Sequence, residues 1–259
     1  MHTEKTNEVL SRSLKLNIGQ YYKDAFEVYK KFPGGFIGML LVSLLIYFAT
    51  SFVPLVGFLM LPFIVALLHA GALIVIHKLK NGDSVQFGDF FSGFQQAGPI
   101  LAVSVVVVCL TFIFAIPAIA YTFTITNNME SLAAFPIVIL LLQIPCIVIS
   151  LLYIFALYAV LFLRFDMWPA MEISRKVVMR KFFPVLGFCL LTYIICAFGI
   201  LLTFGLGVFF FMPWAVASLS MLFEDWFQPR GSSLDVSVDS FGNTSQDLNT
   251  EADEKKAWE

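Results

Sequence analysis

The chain has 259 residues, of which 59% are hydrophobic and 13% charged, with a formal net charge of −2. An ordinary soluble domain carries about 25% charged residues, and a chain this apolar could not cover its surface with polar groups in water. With 29 phenylalanines among those apolar residues, the composition excludes a water-soluble globule and points to a surface that faces lipid.

Taken in order, residues 1–17 form a short polar N-terminal segment, and 18–223 are predicted to be one six-helix transmembrane domain. Residues 224–259 are predicted to be a disordered acidic tail. The domain opens on an amphipathic stretch in which Ile18, Tyr21, Tyr22, Ala25, Phe26, Tyr29 and Phe32 recur at helical spacing. Gln20, Lys23, Asp24, Glu27, Lys30 and Lys31 take the opposite face, which predicts a helix lying in the headgroup plane.

Six apolar runs follow, at 35–52, 55–76, 99–125, 133–163, 182–204 and 206–223, none of which contains Asp, Glu, Lys or Arg. A bilayer core of about 30 Å needs roughly 20 such residues as helix, so each run can cross. Strands of a barrel would alternate over about ten residues, whereas these runs are continuously apolar. The prediction is an all-α integral membrane fold whose six transmembrane helices form three hairpins.

Each hairpin is expected to follow a cytoplasmic amphipathic interfacial helix. Before the second, Phe87, Phe90, Phe91 and Phe94 repeat at helical spacing after an Asp83-Ser84 cap signal. Before the third, Pro169 can open a helix with Ala170, Ile173 and Val177 on one side and a Glu172, Lys176, Arg180 ladder on the other. The octet Asp24 to Lys31 matches Asp89 to Gln96 as acidic, x, Phe, x, x, aromatic, polar, polar. Pro62, Pro145 and Pro213 also recur in the second helix of each hairpin, so the chain reads as three copies of one unit. Ser51 to Pro54 and Phe204 to Gly207 leave almost no external loop, while the runs at 99–125 and 133–163 exceed the bilayer core and must tilt, kink or project. Pro117, Pro136 and Pro145 are the expected kink points.

Orientation follows from the sixteen lysines and arginines. They lie before the first run and after the second, fourth and sixth, with none after the first, third and fifth. Positive-inside bias therefore places both termini in the cytoplasm. The first 34 residues lack the short apolar core of a removable signal peptide, so the first crossing is expected to direct its own insertion. The tail holds nine acidic and three basic residues, and reads either as a solvated terminus or as a docking segment with Trp226, Phe227, Phe241 and Trp258 as its aromatic anchors. Asn243-Thr244-Ser245 fits a glycosylation acceptor but falls on the cytoplasmic side.

Few residues offer chemistry. His69, inside the second crossing, suits a cavity wall, a proton relay or a headgroup contact, or else bonds to a neighbouring helix. Gln143 is a possible substrate contact or a helix-to-helix hydrogen bond, and His77 sits at a membrane boundary beside Lys78. Pro62, Pro145 and Pro213 each free a backbone carbonyl, which either opens a cavity or makes a plain kink. Gly34 with Gly38 and Ala66 with Ala70 have the spacing of close helix contacts, which more often lie within one chain than on a dimer face. Cys109, Cys146, Cys189 and Cys196 all lie in crossings without a CxxC or Cys/His cluster, so they read as small hydrophobes. Neither HExxH nor GxSxG occurs, and no acidic pair lies within a crossing, so neither an enzyme nor a bound cofactor or metal is expected.

The segment Asp89-Phe90-Phe91-Ser92-Gly93-Phe94, the stretch Pro169-Ala170-Met171-Glu172-Ile173-Ser174-Arg175-Lys176 and the Met212-Pro213-Trp214-Ala215 sequence, set among three hairpins, carry a resemblance. Together they resemble a broad family of bacterial six-helix inner-membrane proteins of unassigned function, which includes the membrane domain of some glycerophosphodiester phosphodiesterases. The likeness covers residues 18–227. It implies a bacterial cytoplasmic (inner) membrane location, and no hydrolytic residue carries over because the soluble phosphodiesterase domain has no counterpart here. The functional expectation is a non-enzymatic multi-pass protein that organises lipids or partner proteins, with membrane lipids and a membrane or cytoplasmic protein as partners and no nucleic acid. The alternative is a permease or facilitator for an apolar or lipid-like molecule, lined by His69, Gln143 and the proline kinks. It requires a continuous cavity between the even-numbered crossings.

Overall fold

The computed structural model describes residues 16–125 and 135–227, and every regular element among them is helical. Six segments are long and apolar enough to cross a membrane: Pro33–Ser51, Leu59–Asn81, Phe87–Phe123, Ile137–Leu163, Phe182–Leu202 and Val208–Phe227.

Helix α1, Ile18–Lys31, buries Tyr21, Ala25 and Val28 and ends on Lys30 and Lys31, whose charges suit the negative end of the helix dipole. Pro33 then starts α2, Pro33–Ser51, where its missing N–H costs no hydrogen bond. After the Phe52-Val53 turn, Pro54 does the same for α3, Pro54–Asn81. Gly82 ends α3 at φ +87°. Its N–H donates to Leu79 O (3.3 Å) and that of Asp83 to Lys78 O (3.0 Å), a Schellman closure that a side chain at Gly82 would strain.

The second amphipathic stretch departs from expectation, because Phe87–Gln96 coils as a 3₁₀ helix capped at Gln86, with the Gln86 N–H donating to Asp89 Oδ2 at 2.8 Å, and not at Asp83-Ser84. Three residues per turn align Phe90 with Gly93, and these are the two residues it buries, while Phe87 and Phe94 stay exposed. The reason is a close approach to α3. A Cβ on Gly71 would lie 1.7 Å from Phe90 O, and one on Gly93 would lie 2.1 Å from Leu67 O, so only bare backbone fits on either side.

Helix α4, Ala97–Ile125, continues directly from the 3₁₀ helix and carries Pro117. The fourth apolar run is not one helix. It divides into α5, Phe135–Leu152, and α6, Ala156–Leu163. At the break, the fully buried Ser174 donates from Oγ to Leu152 O (2.7 Å) and accepts from the Phe155 N–H (3.2 Å). One hydroxyl thus satisfies a donor and an acceptor that the interrupted ladder would otherwise leave bare. Ser174 belongs to α7, Met167–Arg180, where Glu172 pairs with Arg175 (2.9 Å) and Lys176 (3.2 Å). Helices α8, Phe182–Leu202, and α9, Val208–Phe227, complete the bundle.

Protein covers part of the apolar face of α1: the Tyr22 ring lies tilted 4.7 Å from that of Trp214 of α9, whose Nε1–H donates to Tyr22 O at 3.1 Å, while Phe26 stays exposed. One further expectation needs correction. The boundary drawn at 223 cuts α9 four residues short, since α9 runs to Phe227 and buries Glu224, Trp226 and Phe227. The N-terminal residues 1–15, the turn 126–134 and the tail from 228, with Phe241, Asn243 and Trp258, lie outside the described residues.

Candidate functional site

Helices α3, α6 and α9 meet along their lower halves through rings. Phe223 of α9 packs 5.1 Å from Tyr158 and 6.1 Å from Phe162 of α6, and His77 of α3 lies 4.9 Å from Phe162. His69 stands edge-on to Tyr158 at 6.3 Å. Two polar groups on this axis are left without partners among the described residues. The Tyr158 hydroxyl is fully enclosed beside Ser220, whose own hydroxyl donates to Val216 O at 3.0 Å, yet it makes no hydrogen bond of acceptable geometry. The His69 ring, half-buried, has no hydrogen bond to protein.

His69 also lines two crevices on either side of α9. The first, of 310 Å³, lies between α2, α3, the 3₁₀ helix and α9, with Phe36, Met39, Ser43, Phe90 and Pro213 in its wall. The second, of 460 Å³, lies between α3, α8 and α9, with Phe188, Thr192, Cys196, Ile200 and Leu219. Met212 and Val216 belong to both walls, so with His69 they form the partition. Both linings are almost entirely apolar, and their sizes fall in the range of about 300–1,000 Å³ common to small-molecule pockets. These crevices flank α9. They do not run between the three even-numbered crossings, which close on one another through the rings above.

The five residues singled out in the sequence therefore part company. His69 and Pro213 share the first crevice. Pro62, seven positions before His69, lines neither, and Gln143 and Pro145 face outward from α5.

A second polar assembly ties the basic ends of the helices. Glu224 of α9 is buried, accepts from His77 Nδ1 at 3.0 Å and is paired with the Lys80 ammonium of α3. Asn81 Nδ2 lies 3.1 Å from His77 Nε2, so with the amide donating there the Nδ1 proton points to Glu224. Lys78 bonds to Asp89 (3.0 Å), Lys31 Nζ donates to Leu79 O (2.6 Å), and Tyr21 donates to Asp225 (2.5 Å). Burial and that hydrogen bond push the Tyr21 phenol well above its ordinary range. Sequence reasoning missed Glu224 and Asp225 because their acidic neighbours downstream made them look like the start of the tail. The usable signal was Trp226-Phe227 just after them, an apolar pair that prolongs the run. Among the described residues, no group of three His, Cys, Asp or Glu side chains could hold a metal ion.

No family model, curated protein or solved structure matches this chain.

Proposed function

We propose that this multi-pass membrane protein is non-enzymatic and organises lipids, holding an acyl or similar apolar chain in the crevices beside α9. The single observation that carries this reading is that two apolar crevices meet at His69, an imidazole with no protein hydrogen bond among the described residues. A chain lying in either crevice would be sheltered by the apolar walls, and its polar end would find in His69 both a donor and an acceptor. The carboxylates of α9 are already bonded to His77, Lys80 and Tyr21, which favours structural ties over acid and base chemistry. The cationic ends mark the cytoplasmic side, in keeping with both termini there and with the bacterial inner-membrane family that the chain resembles.

The test is purification in native lipid followed by mass spectrometry of the bound lipid. One enriched lipid class is expected, and Val216→Phe, which projects into both crevices, should abolish the enrichment. A bound-lipid profile equal to that of the surrounding membrane in both forms would refute the proposal. A facilitator for the same apolar molecules is favoured by one feature, the thin partition. Met212 is a flexible side chain whose rotation would join the two crevices, so Met212→Trp should block flux in vesicles if the molecule passes through.

A further inference from the structure

We propose that two copies of this chain pair in the membrane through α5, with Gln143 meeting Gln143 across a twofold axis along the membrane normal. α5 turns Leu140, Gln143, Ile147 and Ser150 outward, all four exposed. Their spacing of three, four and three residues is that of a left-handed helix seam, the commonest crossing between membrane helices. The flank of α5 beside this seam is occupied within the chain, where Cys146, three residues after Gln143, is buried with Sγ 3.7 Å from Thr111 O of α4, and Ile149 is buried further round.

Two features of the seam point to a partner. Among the described residues the Gln143 carboxamide and the Ser150 hydroxyl have no hydrogen bond, whereas Ser104, Ser218 and Ser220 each donate to the carbonyl four residues back. Counted from Ile137 of the span Ile137–Leu163, Gln143 lies about 9 Å and Ser150 about 20 Å along the helix at 1.5 Å per residue. Lipid chains at those depths offer no hydrogen bond, and an amide left bare there is strongly disfavoured.

The chemistry selects a second copy as that partner. A carboxamide carries a donor and an acceptor, and a hydroxyl does the same, so each group is complementary to itself. Copies inserted with one shared orientation can be related only by an axis normal to the membrane. α5 then meets α5 in parallel, with every seam residue facing its own counterpart at equal depth. A different protein would have to present matching groups at both depths, and a second copy does so by construction.

The test uses the full chain in native membranes, with Cys109→Ala removing the one exposed native thiol. Single cysteines are placed by Leu140→Cys, Ile147→Cys and Leu141→Cys, the last as exposed as its neighbours but off the seam. Oxidation is expected to give disulfide-linked dimers from the first two and none from the third. Gln143→Leu should lower the dimerisation constant in vesicles, read by single-molecule photobleaching, roughly fivefold to thirtyfold, and Gln143→Asn should recover part of it. Equal cross-linking at Leu141→Cys, no cross-linking along the seam, a seam cross-linked only to another protein, or an unchanged constant for Gln143→Leu would each overturn the pairing.

Discussion

Replacing Gly71 by alanine probes the closest approach in the bundle. The new Cβ would stand 1.7 Å from Phe90 O and 2.6 Å from Phe90 C, while carbon atoms almost never come nearer than 3.0 Å to such a neighbour. The 3₁₀ helix would have to retreat from α3 by at least 1.3 Å, the difference between those distances. Retreat is resisted at both ends, by the Lys78–Asp89 pair on one side and by direct continuation into α4 on the other. No side-chain rotation relieves the clash, because the obstructing atoms are backbone. Overpacking of this kind costs about 3 kcal/mol, and alanine's better helix propensity returns about 1 kcal/mol, for a net loss of about 2 kcal/mol. Gly187→Ala is the matched control, since nothing lies within 4 Å of its added Cβ in α8. Equilibrium unfolding by SDS titration in mixed micelles should show Gly71→Ala clearly destabilised and Gly187→Ala equal to or slightly above the parent. Equal midpoints for the two variants would refute the close-approach argument.

Ser174→Ala leaves the Phe155 N–H and the Leu152 carbonyl without their buried partner, and should cost about 1–3 kcal/mol in the same titration, against less than about 0.5 kcal/mol for Ser104→Ala, whose hydroxyl only repeats a bond that α4 already makes. Glu224→Gln leaves the Lys80 ammonium in a half-buried site and should destabilise by about 2 kcal/mol, below the 3–5 kcal/mol of a fully buried pair, while adding Lys80→Gln should restore much of the loss in a double-mutant cycle. Tyr21→Phe removes the hydrogen bond to Asp225, worth about 1.5–3 kcal/mol for a charged acceptor. Because the folded-state pKa of Tyr21 is raised above its ordinary 10.0, the stabilisation is complete below pH 10.0 and is lost as pH rises toward the folded value, so the gap between parent and Tyr21→Phe should narrow in alkali, alongside a delayed tyrosinate absorbance.

The crossings were legible because lipid imposes a blunt rule: about twenty residues of mostly apolar helix can hardly do anything else, and six segments qualify by length and composition. The places where reading stopped short are those where one residue from a distant element decides the outcome. Nothing local in Leu152 to Phe155 announces a helix break, since the hydroxyl that sustains it comes from Ser174, two helices later. The α-helical period of Phe87, Phe90, Phe91 and Phe94 was plausible, yet the backbone approach of Gly71 to Phe90 favours the tighter coil that puts Phe90 and Gly93 inward. Glu224 looked like tail because acidity is a solvent signal. Its two basic neighbours, His77 and Lys80, are about 145 positions away, a separation that pattern reading does not bridge. For the candidate site, His69 and Pro213 were within reach as polar or kinked points in crossings, whereas the partition residues Met212 and Val216 are chemically ordinary and acquire their role only through position.

The three amphipathic stretches follow one rule of contact. The 3₁₀ helix packs on α3, the crossing just before it, and α7 packs on α6 and the end of α5, again the crossing before it. α1 has no crossing before it in the chain, and it packs on α9, the last. Each stretch therefore seals the crossing of the preceding unit, and the first seals that of the third, which is the contact pattern of a closed ring of three units. The two matching octets share their two buried positions: Ala25 and Phe90 are both fully buried, and three positions on Val28 and Gly93 are buried as well. A ring has no free end to fray, so the α1 to α9 contact through Tyr21, Tyr22 and Trp214 does for the termini what covalent continuity does for the other two junctions. It also explains why Glu224 lies inside the fold and why the exposed Asp225 beside it is bonded to Tyr21: the two sit where the last crossing is tied back to α3 and α1, and the buried charge is tolerated because His77 and Lys80 meet it.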